Sequence, residues 1–209
     1  MRRGASWPRC ATDMATVALP LFPLGAVLFP GGRVSLRVFE QRYLDLVARC
    51  SRSGEGFGIC LIAAGEEVGE PAVPAGVGTE AVIVDFAQTD DGLLAITVEG
   101  RRRFRVAACG AQDDGLVVAD VEWLPETPPQ PPHAEHALLA VLLARILDKA
   151  GEEHSGVGKR ELADAAWIGW RLAEWLPLEN DERQALLELD DPHARLQALV
   201  ERLPDFQAE

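Results

Sequence analysis

Residues 19–32 read LPLFPLGAVLFPGG, three prolines and three glycines among large apolar side chains with no charge. Proline lacks the backbone donor that a helix interior or a central strand needs, so the run suits edge strands and turns. Glycine lets the chain reverse tightly, and the apolar residues between need an interior to fill. The stretch predicts the wall of a small barrel, not an active site.

Outward from it the pattern keeps a period of two. Val82, Val84 and Phe86 share one face of a strand, and Leu94, Ile96 and Val98 one face of the next. Asp90-Asp91-Gly92 between them is a hairpin signal, since glycine supplies the positive φ of a tight turn. Asp113-Asp114-Gly115 repeats the device before Val117, Ala119, Val121 and Trp123. One helix is predicted at 39–52, where Phe39, Tyr43, Leu46, Val47 and Cys50 recur at helical spacing and Gly54 follows.

PETPPQPPH, residues 125–133, holds five prolines, favours extended polyproline geometry and reads as a stiff spacer. Beyond it the pattern is helical. HALLAVLLARILDKAG is apolar nearly all round, predicting a buried central helix that ends at Gly151. KRELADAAWIGWRLAEWLP stops at Pro177; NDERQALLELD has Asn180 as its expected N-cap; DPHARLQALVERLP has Asp191 as cap and Pro192 at the first helical position. The expected organisation is a tail at 1–13, a β domain with one helix at 14–124, a linker at 125–133 and an antiparallel helical bundle at 134–205.

The 209 residues carry a net charge of −13, with −4 over residues 1–125 and −9 over 126–209. Neither half attracts a polyanion, so nucleic acid and anionic membrane are not expected partners. The four cysteines (Cys10, Cys50, Cys60, Cys109) form no CxxC, which suits a reduced, cytoplasmic protein. Arg2 and Arg3 precede an apolar region, but Asp13, Pro20, Pro23 and Pro30 break up any signal-peptide core, and Met14 is the expected start of the folded part. The longest uninterrupted apolar run, ALLAVLLA at 137–144, is far short of a membrane span.

Motifs for chemistry fail on inspection. HSGVGKR (154–160) lacks the first glycine of a phosphate loop, which would fall at Glu153, and has Arg160 where a hydroxyl belongs. Ser155 and Lys159 sit in a glycine-rich loop with no means of lowering the lysine's pKa. HAEH places His133 and His136 three apart, unlike the zinc-protease spacings, with His154 and His193 unplaced. No metal or cofactor is expected. EGRRRFRV (99–106) is the one basic cluster; strict alternation puts Arg101, Arg103 and Arg105 on one face and Arg102, Phe104 and Val106 on the other. Trp167 falls on a polar helix side with Asp164, Arg171 and Glu174, so something should cover it, Trp170 alongside.

The opening stretch, extended to LPLFPLGAVLFPGGRVSLRVFEQRY, resembles the N-terminal domain of Lon ATP-dependent proteases, and FGICLI (57–62), VGTEAVIVDF (77–86) and ITVEGRRRFRV (96–106) continue the match in order. The helical half is similar to that of short stand-alone Lon-domain proteins. The resemblance implies an α+β fold, a curled PUA-like β pseudobarrel followed by a helical bundle. It also implies a domain that selects and holds polypeptides with exposed apolar segments. No ATPase motif is present and too few residues follow for a Ser–Lys peptidase, so the expectation is a non-enzymatic module for unfolded polypeptides or a protein partner, with a weak homodimer possible. A groove between sheet and bundle using Phe39, Tyr43, Arg102, Phe104, Trp167 and Trp170 is the expected site. The alternative, from the arginine cluster and PUA-like sheets elsewhere, is RNA binding.

Overall fold

The computed structural model describes residues 16–150, 158 and 160–203. The expected tail at 1–13, Gly151, His154, Ser155 and Lys159 lie outside them. The chain divides into two compact units, one up to Pro125 and one from Glu126 on.

Among the described residues the first unit holds seven strands and one helix: β1 (Val17–Leu24), β2 (Arg33–Val38), α1 (Gln41–Ser53), β3 (Phe57–Ala64), β4 (Val73–Pro74), β5 (Val77–Gln88), β6 (Leu94–Ala111) and β7 (Val117–Trp123). Both glycine hairpins form, with Gly92 and Gly115 each at φ 82°. The prolines of β1 are accommodated by a change of partner. Residues 17–20 pair antiparallel with β7, and residues 21–24 pair parallel with β3. Among the described residues each half has a strand on one side only, which leaves an edge where a missing N–H costs nothing. The same change closes a ring of ladders β1–β7–β6–β5–β3 back to β1, with β2 added on β6 and β4 on β3. The curled pseudobarrel is thereby realised.

FPGG has a specific seat. Gly31, at φ 72°, donates its N–H to the Gly100 carbonyl at 2.8 Å, and Gly100 donates back to Gly32 at 2.8 Å. A Cβ on Gly100 would lie 2.3 Å from the Phe29 carbonyl oxygen. The two glycine-bearing motifs thus touch backbone to backbone.

Two apolar clusters fill the unit. One joins α1, through Tyr43, Leu46, Val47 and Cys50, to Phe22, Leu36, Phe57, Ile59, Ile96 and Val98. The other gathers Leu19, Leu21, Cys60, Phe104, Val117, Ala119 and Val121. β1 feeds both, since alternate residues of a strand point to opposite sides.

Two departures from strict alternation each accompany a register shift between β5 and β6. Between Thr79↔Arg103 and Ala81↔Gly100, β6 carries one residue more than β5. This bulge resets the pleat, so Arg103 and Phe104 are both buried, while Arg101, Arg102 and Arg105 are exposed. A second irregularity, between Ile83 and Asp85, accompanies an outward-facing Val84 and Phe86, 42% and 50% exposed.

The second unit contains α2 (Ala137–Ala150), α3 (Ala165–Trp175), α4 (Asn180–Glu188) and α5 (Pro192–Arg202), with α3 packed against the other three. The α5 start forms as expected, Asp191 accepting from the His193 N–H and Pro192 at the first position. At α4 the cap is Glu179, not Asn180, because Glu179 and Glu182 form a reciprocal capping box. α2 is not buried all round: Leu139, Leu143 and Leu147 face inward while Leu138 is 78% and Val141 50% exposed. The proline-rich segment is fastened to this unit, with Ala165 N–H donating to the Gln130 carbonyl at 2.8 Å and Gln130 N–H to Asp164 Oδ1 at 3.4 Å.

Candidate functional site

A groove of about 650 Å³ lies in the first unit between β1, β2, the start of α1 and the loop carrying Glu67 and Val68. Phe22, Leu24, Leu36 and Tyr43 form its apolar floor, and Phe39 and Val68 stand on its rim, 50% and 55% exposed. Sequence position explains Phe39: it lies between β2 and α1, the bend where the alternation of one element no longer sets its direction and the spacing of the other has not begun.

The loop is held in place by polar contacts. Glu67 accepts from the Gly25 N–H, and Glu40 Oε2 accepts from the Gly69 N–H at 3.4 Å. Glu40 in turn pairs with Arg42 at 2.9 Å. The Tyr43 ring stacks on Phe22, centroids 3.9 Å apart at 15°, with the Arg42 guanidinium carbon 4.8 Å from its centroid. Burial pushes the Tyr43 phenol above the ordinary tyrosine range; Arg42 opposes this, and Glu40 and Glu67 add to it. The phenol therefore stays protonated. Along the groove's side, β2 pairs with β6 alone among the described residues, so alternate N–H and C=O groups of β2 point away from any described strand.

The other expected site residues sit elsewhere. Arg102 lies in a small polar cluster, its Nε donating to Glu80 at 2.9 Å and its guanidinium carbon 3.5 Å from the Trp123 centroid. Phe104 is wholly buried, edge-on to Trp123 at 6.1 Å. It fills space that Gly58 and Gly78 leave, since a Cβ on either would come within 2.7 Å of its ring. Trp170 is buried beneath Arg195, and Trp167 is half-buried; both belong to the second unit. Only Phe39 and Tyr43 share the groove. Val68 was missed because its loop, GEEVGE, reads as a solvated turn.

Among the described residues one group could hold a metal ion: His133, His136 and His193, with one ring nitrogen from each within 4.8 Å of the others. No described helix is long and apolar enough to cross a membrane.

Residues 18–205 match the family model of the ATP-dependent protease La (LON) substrate-binding domain. The chain belongs to that family. It is similar in structure to a Lon N-terminal domain protein from Xanthomonas campestris, with a TM-score of 0.76 and 46% identity, covering 88% of this chain and 98% of that one. The N-terminal domain of Mycobacterium avium complex Lon protease has the same fold, with a TM-score of 0.65 and 21% identity over 88% of this chain and 97% of that one. Lon protease 2 of Myxococcus xanthus is 27% identical over 193 residues, 88% of this chain. The chain spans only 23% of that relative's length. The resemblance read from LPLFPLGAVLFPGG and its continuations therefore holds, and so does the α+β fold it implied.

Proposed function

We propose that this Lon substrate-binding domain is a polypeptide-binding module without chemistry of its own, and that the first unit's groove holds an extended apolar segment of a client. The observation that carries the reading is the pairing of an apolar groove, rimmed by exposed Phe39 and Val68, with the strand edge of β2 that no other strand among the described residues covers. Main-chain pairing along such an edge gives affinity indifferent to sequence, and an adjacent apolar trough selects hydrophobic side chains. The family's description as a substrate-binding domain supports the same reading. Free thiols at Cys50, Cys60 and Cys109 suit work in a reducing compartment such as the cytoplasm.

RNA binding has less support. Arg33 and Arg101 pair with Glu99, Arg37 with Asp91 and Arg102 with Glu80, so these four basic side chains are already answered by acids.

The test is a Phe39→Asp, Val68→Asp double variant, both sites being exposed and tolerant of charge. Anisotropy of a fluorescent, permanently unfolded apolar polypeptide should show binding at least about tenfold weaker than the parent, with unchanged circular dichroism. Equal affinity in the variant sinks the groove as the site. Loss of parent binding when salt is raised, with an RNA oligomer competing, sinks the polypeptide reading.

A further inference from the structure

HAEH offers two histidines by spacing alone, and folding adds a third. His133 caps and His136 ends a short 3-10 turn (Ala134–His136), while His193 stands in the first turn of α5. The His133 and His193 rings stack with centroids 3.6 Å apart, and His136 lies 6.0 and 6.1 Å from them. Glu135 places a carboxylate oxygen 3.8 Å from His133 Nδ1 and 4.0 Å from His136 Nε2.

The protonation pattern of His136 is set by its neighbours. Gln197 Nε2 donates to Glu201 at 3.0 Å, which turns the Gln197 carbonyl oxygen toward His136 Nε2, 3.3 Å away. His136 then carries its proton on Nε2 and leaves Nδ1 as a bare lone pair. That Nδ1 is buried with no hydrogen-bond partner in the protein, on a side chain only 3% exposed. His193 Nδ1 is buried and unpartnered in the same way. A buried ring nitrogen without a partner is costly, and two in one histidine cluster need a common explanation. An oxygen acceptor holding the far N–H is how metal-bound histidines are oriented, and the Gln197 carbonyl oxygen takes that place here.

We propose that His133, His136 and His193 bind a divalent first-row transition ion of the zinc class, with His136 Nδ1 and His193 Nδ1 as ligands and His133 completing the set. Three neutral imidazoles suit such ions and leave a fourth position for water or Glu135. One ring nitrogen of each histidine lies within 4.8 Å of the others, and the ligating nitrogens must come to roughly 3.3 Å, the separation around a tetrahedral zinc. Rotation of His133 out of the stack supplies this, since its side chain is 60% exposed. The bound ion would lock the proline-rich entry of the helical unit to the start of α5.

The experiment uses the untagged full chain, stripped with EDTA and dialysed free of it, titrated with Co²⁺ by visible absorption and with Zn²⁺ by calorimetry. One equivalent should bind, with ligand-field bands but no thiolate charge-transfer band, and Zn²⁺ should displace Co²⁺. His193→Gln and His133→Gln should each weaken Zn²⁺ binding by at least about tenfold and abolish the rise in Tm that Zn²⁺ gives the parent. His133 is exposed, so that variant reports binding even if His136→Gln fails to fold. No saturable binding, a cysteine-type spectrum, or affinity unchanged in both variants overturns the site.

Discussion

The guanidinium carbon of Arg195 lies 3.3 Å from the centroid of the Trp170 ring, and the arginine is 1% exposed. Gly169 makes the room, since a Cβ there would meet Arg195 Cδ at 3.1 Å. Arg195 Nε donates to the Leu186 carbonyl at 3.1 Å and Nη2 to the Leu189 carbonyl. A cation from α5 thus joins α3 to the α4–α5 connection. Arg195→Met keeps the bulk but strands those carbonyls, and should destabilise the helical unit by about 2–4 kcal/mol. Urea unfolding followed by tryptophan fluorescence measures it, and a loss below about 1 kcal/mol refutes this role.

Trp170 follows from the same geometry. Trp170→Ala should cost about 3–5 kcal/mol of stability and leave affinity for apolar polypeptide unchanged wherever the variant is folded. A folded variant with weakened client binding would restore Trp170 to the binding surface.

Gly100→Ala should destabilise the β unit by about 3 kcal/mol, the upper range for overpacking. The obstruction is the Phe29 backbone oxygen at 2.3 Å, which has no rotamer to give, and the paired bonds with Gly31 and Gly32 would open. Gly110→Ala, with nothing within 4 Å of the added Cβ, is the control and should be within about 0.5 kcal/mol of the parent. Denaturation midpoints compare the two.

Burial pushes the Cys60 thiol far above its ordinary value, with neighbouring Cys109 adding to the rise. The folded state therefore keeps a proton that the unfolded chain releases. The stabilisation is complete below the unfolded thiol pKa of ~8.5 and is lost as pH rises above it, by up to about 1.4 kcal/mol per pH unit. Cys60→Ala should flatten the alkaline fall in stability between pH 8.5 and 10. An unchanged slope contradicts the assignment.

Turn chemistry made the β unit legible: Gly92 and Gly115 sit where the hairpins needed them, and the helix after FPGG ends at Gly54 as expected. The helix caps at Asp191 and the proline beside it were equally local. What stayed hidden depends on partners distant in sequence. The β6 bulge that turns Arg103 inward leaves no mark on RRRF, because an extra residue shows only against β5. Phe104 looked available for binding because the glycines that house it, Gly58 and Gly78, belong to other strands. The groove was half legible, through Phe39 and Tyr43; the placing of Val68 rests on Glu67 reaching Gly25, a contact no periodicity encodes. His193 joins His133 and His136 for the same reason.

The double allegiance of β1 also bears on how the chain is made. Its first residues, Val17 to Pro20, pair with β7, which leaves the ribosome about a hundred residues later, the kind of long-range closure that slows folding. Throughout that wait LPLFPL is an oily ribbon in search of company. Pro20 and Pro23 deny passing strands the hydrogen bonds they would need to seize it, so the residues that shape the finished wall also chaperone the unfinished one.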